Sequence, residues 1–257
     1  MDWTNAKIHK INDTYSARTP LGFYSSDADI RVFLEYKFGK LKEEHPLKGN
    51  FAADWSSHTE YSRLLQLCLQ GGFVYASVVM RYLESTWYYP PTRLSAILNL
   101  QQDPTSTSSS IYLDALYRHI FSSLANLPQG LDVLTVVILH RGSRMTPKFV
   151  EDLLISGQGH VQSILTDLEP LVLVPQSTND LREVTVCHGS VREFLLDPKR
   201  SGRFFIDSST AYGKLAVFCM KRLRFQQFVP HTEGISPIMD IFPLLSNGLS
   251  YRIANGS

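Results

Sequence analysis

Between residues 27 and 224 apolar side chains recur mostly at helical spacing. Ile30, Phe33, Leu34, Phe38 and Leu41 share one face of a helix opening at Asp27. Asp27 and Asp29 lie in its first turn, where the macrodipole favours acids. Residues 45–58 (HPLKGNFAADWSSH) hold Pro, Gly, Asn and Ser and read as a loop. From Thr59 a second helical pattern carries Leu64, Leu65, Leu67 and Cys68, meets Gly71-Gly72, and resumes with Phe73, Ala76, Val79, Met80 and Leu83. A double glycine inside such a pattern either ends one helix and begins another or permits close backbone approach. Pro90-Pro91 breaks the chain again, and residues 92–100 form a short helix.

Residues 103–110 (DPTSTSSS) are low in complexity and read as a flexible linker at a domain boundary. Beyond it, Leu113, Leu116, Tyr117, Ile120 and Leu124 predict an amphipathic helix, and residues 131–140 an apolar helix buried on most sides. Thr146-Pro147 places an N-cap before a first-turn proline, opening a helix with Phe149, Val150, Leu153 and Leu154. Val161, Ile164, Leu165 and Leu168 make the next helix. Two β-rich runs, 171–174 and 183–187, flank a polar turn cluster at 176–180, the pattern of an antiparallel hairpin. Ser190 with Glu193 three residues on predicts a capping box with Ser190 as N-cap, followed by Val191, Phe194 and Leu195 on one face and closed by Pro198. A last helix over 210–224 turns Leu215, Phe218, Cys219, Met220 and Leu223 inward.

The expected fold is therefore mainly α. A remnant or irregular segment (1–26) precedes a helical domain (27–102), the linker (103–110) and a domain at 111–200. Three short helices followed by a small antiparallel β-hairpin make that domain winged-helix in type. A C-terminal helix with an irregular tail fills 201–257.

Composition narrows the function classes. At 44% apolar and 19% charged the 257-residue chain reads as globular, and a net charge of +1 gives no global attraction to nucleic acid or anionic membrane. Cys68, Cys187 and Cys219 form neither a disulfide framework nor a zinc pattern, which points to a reducing, cytoplasmic setting. The start, MDWTNAKIHK, is too polar for a signal peptide, and the longest apolar run, 133–139, is too short to span a bilayer.

Candidate chemistry concentrates at one corner. His188 stands between a strand and a helix, beside helix-start N–H groups of the kind that hold phosphate. Cys187 next to it invites a Cys–His dyad, yet neighbours on a strand face opposite sides. No Ser-His-Asp spacing, metal cluster or carboxylate pair stands in a recognisable context. A winged helix would read DNA with its third helix, but residues 160–168 (HVQSILTDL) carry no Lys or Arg and one Asp, a poor match for phosphate. From 192 to 224 the chain is basic, with Arg192, Lys199, Arg200, Arg203, Lys214, Lys221, Arg222 and Arg224, and reads as a solvated helical face. Trp87-Tyr88-Tyr89 reads as a packed helix end.

Four segments, "SDADIRVFLEYKF", "QGGFVYASVVMRYLES", "LDALYRHIFSSL" and "VCHGSVREFLLDPKRSGRFFI", stand in the order seen in fungal NACHT-domain NTPases of the STAND class, relatives of NLR immune receptors. The resemblance covers about residues 20–225, the part that follows the nucleotide-binding core. It implies that His188, with Ser190 at the helix start, descends from a histidine contacting the β-phosphate of ADP. It also implies that Gly71-Gly72 occupies the place of a glycine-rich adenine-side segment, without that segment's proline. The P-loop itself is absent: the Gly-Lys pairs Gly39-Lys40 and Gly213-Lys214 lack both the earlier glycine and the following Ser/Thr. No Walker B strand is found either. The expectation is a non-catalytic module without a cofactor of its own, taking ADP or ATP only beside an intact NTPase core. Its partners would be other protein chains, such as a NACHT core or an oligomeric STAND assembly, with no nucleic acid and no membrane.

Overall fold

Asp27 opens α1 (Asp27–Glu44), and the five side chains of its apolar stripe are all buried. The computed structural model describes residues 27–52, 55, 58–100, 110–139, 145–154, 157, 159–174 and 183–226. The expected segment 1–26, the 103–110 linker apart from Ser110, the 176–180 turn and the tail 227–257 lie outside the described residues. Among the described residues the chain is mainly helical, with one two-stranded antiparallel sheet. It divides into two compact units, residues 1–120 and 121–257, the division falling inside the helix Ile111–Ser122.

In the first unit α2 (His58–Glu84) packs on α1 and on α3 (Pro90–Leu98). Phe33 of α1 meets Phe73 of α2 at 4.8 Å between ring centres. Lys37 reaches Glu84 at 2.9 Å, tying α1 to the end of α2. Fully buried side chains such as Leu34, Leu64 and Met80 each contribute about 1.5–3 kcal/mol by leaving water.

The two glycines of α2 realise one structural alternative each. Gly72 breaks the helix with φ 76° and ψ −179°, a conformation open to glycine. At Gly71 an added Cβ would stand 2.5 Å from Tyr75 Cγ, so a side chain is excluded by the next turn. By length and composition α2 is the one described helix apolar enough to cross a membrane, at hydropathy 1.2. Its buried residues, Leu64 and Cys68 before the break and Phe73 to Leu83 after it, are spent on the core of its own unit.

Two departures appear at the α2–α3 connection. The helix begins at Pro90, not after the proline pair, because prolines at the first two positions of a helix forgo only N–H groups that would be unpaired anyway. The aromatic triplet is not uniformly packed: Trp87 is 73% exposed, while the Tyr89 hydroxyl donates to the Asn50 carbonyl at 2.7 Å. Arg93 accounts for Tyr88. This buried guanidinium lies between the Tyr82 ring (4.0 Å) and the Tyr88 ring (3.8 Å), and also donates to the Tyr82 carbonyl. Tyr82 in turn pairs its hydroxyl with His119 Nε2 at 3.0 Å, fastening α4 (Ile111–Ser122) to α2.

The second unit centres on α5 (Leu127–Leu139), buried along Val133, Leu134, Val136, Ile138 and Leu139. Around it lie α6 (Pro147–Leu154), α7 (His160–Asp167) and α10 (Ser208–Gln226). Thr146 caps α6 as its sequence predicts, Oγ1 accepting from Phe149 N at 3.1 Å. Strands β1 (Val172–Leu173) and β2 (Thr185–Val186) pair with Val172 opposite Val186 and Leu173 opposite Thr185. Just before β2, Val184 N donates to the Met145 carbonyl at 2.7 Å, so the segment leading into α6 adds a backbone partner beside the hairpin. The chain then turns through α8 (Gly189–Leu195) and α9 (Pro198–Ser201).

Candidate functional site

Leaving β2, the chain bends at Cys187 and His188, and His188 itself, with extended dihedrals (φ −148°, ψ 144°), gives way to α8 at Gly189. The N-cap is therefore His188, and the expectation of Ser190 as cap with Glu193 as its capping-box partner is corrected. Ser190 sits second in the helix, and its N–H donates to His188 Nδ1 at 3.1 Å. The reason is geometric: Nδ1 lies as many bonds from the main chain as the side-chain oxygen of asparagine, a favoured N-cap.

A backbone N–H has only a proton to offer, so Nδ1 must be the bare nitrogen and Nε2 must carry the ring proton. The Ser190 hydroxyl, 2.8 Å from the same Nδ1, then also acts as a donor. Val191 N is satisfied by the His188 carbonyl at 3.1 Å. Two of the helix's first three N–H groups, those of Ser190 and Val191, are thus already paired. Burial pulls the His188 pKa below the usual histidine value, with the Glu193 charge pulling the other way. At neutral pH the ring is uncharged and serves as a hydrogen-bond acceptor.

The segment after it is equally committed. Val191, Phe194 and Leu195 are buried, and Phe194 stacks on Phe121 with centroids 6.0 Å apart and planes at 9°. Asp197 caps α9, Oδ1 accepting from Lys199 N at 2.9 Å, with Pro198 in the first turn. Gly202 turns the chain at φ 54°, Phe204 and Ile206 return to the core, and Ile206 N donates to the Leu195 carbonyl at 2.8 Å. So in the run VREFLLDPKRSGRFFI the apolar, capping and turn positions close a compact helical corner.

The basic run is less solvated than its sequence suggests. Arg192 Nη1 donates at 2.6 Å to the carbonyl of Ile138, one of the α5 C-terminal acceptors that no helical N–H can reach. A cation also suits that end of the helix dipole. Arg203 donates to Ser122 Oγ at 2.8 Å, and Lys214 lies 3.6 Å from Asp132.

The four candidate nucleotide-side residues fall in two units. His188 and Ser190 are joined to each other in the second, and Gly71-Gly72 form the break of α2 in the first. The first unit also has a shallow depression of about 240 Å³ lined by Lys37, Lys40, Glu44, His45 and Glu84 among others. Its lysines are paired within it, Lys37 with Glu84 at 2.9 Å and Lys40 with Glu44 at 3.4 Å. His45 uses the same tautomer without capping a helix: Nδ1 accepts from Leu47 N at 3.1 Å, which leaves Nε2–H to donate to the Ser85 carbonyl at 3.3 Å.

Among the described residues no three His, Cys, Asp or Glu side chains group to hold a metal ion. Burial pushes the Cys68 thiol far up and the Cys219 thiol to about 11, so both stay protonated at neutral pH and are poor nucleophiles. On α7 the exposed positions include His160, Gln162 and Ser163, and the His160 Nε2 pairs with Gln129 Oε1 at 2.9 Å. Sequence reasoning missed the Asp207 cap of α10, where Oδ2 accepts from Thr210 N at 3.1 Å and Oδ1 from Ser209 Oγ at 2.9 Å. An Asp three residues before a Thr at a helix start was the available signal.

Comparison of the chain with protein-family models, with curated proteins and with solved structures finds no match in any of the three.

Proposed function

We propose that this chain is a non-catalytic regulatory and interaction module of a NACHT (STAND-class) signalling protein, built from a helical unit and a winged-helix unit, and acting in the cytoplasm by docking to other protein chains. The observation that carries the reading is the commitment of His188. Its Nδ1 lone pair is engaged by Ser190, so the ring works as a cap that holds strand β2 against helix α8. With Nδ1 engaged inside the fold, that nitrogen is not offered to a ligand, which supports a structural role for the ring over direct nucleotide contact.

The winged-helix assignment is supported by the order α5, α6, α7, β1, β2. It is further supported by the Met145–Val184 backbone bond, which sets the segment between the first and second of those helices beside the hairpin. The lack of Lys and Arg on α7 favours a protein partner over DNA, because phosphate contacts supply most of the affinity for a duplex. Isothermal titration of the purified chain with ADP and with Mg-ATP tests the proposal. It requires no saturable heat with either nucleotide, and micromolar or tighter binding by the chain alone overturns it.

A second reading has one specific observation behind it. His188 Nε2–H is left as the ring's remaining donor, and such a donor suits a phosphate oxygen brought by a separate NTPase chain. In a reconstituted pair, a nucleotide response unchanged by His188→Ala sinks that reading.

A further inference from the structure

We draw no further inference here: the strongest candidate, the exposed aromatic edge formed by Trp87 and Tyr88 where α2 gives way to α3, carries nothing because no feature of the structure shows what covers it.

Discussion

His188 Nδ1 accepts from both the backbone N–H and the hydroxyl of Ser190, at 3.1 Å and 2.8 Å, so this ring nitrogen is committed to the start of its own helix. The pair converts a strand end into a helix start within three residues. Replacing His188 by Ala removes the acceptor and is expected to destabilise the second unit by about 1 kcal/mol, the usual loss for an N-cap. His188→Asn keeps an acceptor at the same reach and should restore most of that loss. Urea unfolding followed by circular dichroism measures both; equal loss in the two variants would show that the ring matters for packing and not for capping.

Acid should weaken the same corner. Burial lowers the folded-state pKa of His188 below the value of about 6.5 that an unfolded chain has. For a lowered histidine the stability is fully present above that unfolded value and is lost as pH falls through the folded one. His119 behaves alike, lowered first by burial and then by the Arg93 charge, so protonation there sets a second cation in a desolvated site beside the guanidinium. Both variants His188→Asn and His119→Gln are expected to flatten the fall in stability below pH 6.5. A wild-type stability that is constant from pH 7 to pH 5 contradicts this.

Much of the helical skeleton was legible from spacing alone. The five apolar positions of α1, the Thr146 cap and the hairpin strands lie where periodicity and turn chemistry put them. Less legible were contacts between residues distant in sequence. Arg192 reads as one base in a charged run, and only the fold brings it 54 residues back to the Ile138 carbonyl. Arg93 and Tyr88 are equally silent until the α2–α3 turn stacks them. Ser190 reads as the cap because Ser is the commoner N-cap, whereas His188, two residues earlier, is the last residue with extended dihedrals before the helix. No pattern of apolar residues reports where that change of dihedral falls.

The aromatic stack under α8 separates core from surface in one motif. Phe194 is fully buried against Phe121, and Phe194→Ala is expected to cost about 3–5 kcal/mol. Phe205, 37% exposed and eleven residues on, should lose clearly less on the same change, about 1–2 kcal/mol for the part of its ring that is covered. Thermal or urea unfolding of the two variants compares them directly; a similar loss at both positions rejects the burial pattern of the motif.

The break in α2 makes a third contrast. Gly72→Ala forces an L-residue into φ 76° and ψ −179°, a region essentially reserved for glycine, with an expected loss of about 1–3 kcal/mol. Gly71→Ala meets Tyr75 at both Cγ (2.5 Å) and Cβ (2.7 Å), and combined with Tyr75→Gly, which removes both atoms, it should recover part of its own strain. A double-mutant cycle reads this, and additive losses at 71 and 75 would place the conflict elsewhere.

The most direct test of His188 as a cap is the imidazole nitrogen spectrum of the ¹⁵N-labelled chain, recorded at pH 7 before and after ADP is added. A capping His188 in a chain that takes up no nucleotide has a bare Nδ1 and a protonated Nε2, with neither resonance moving at millimolar ADP. A protonated Nδ1, or shifts of the His188 nitrogens that saturate with ADP, would contradict it.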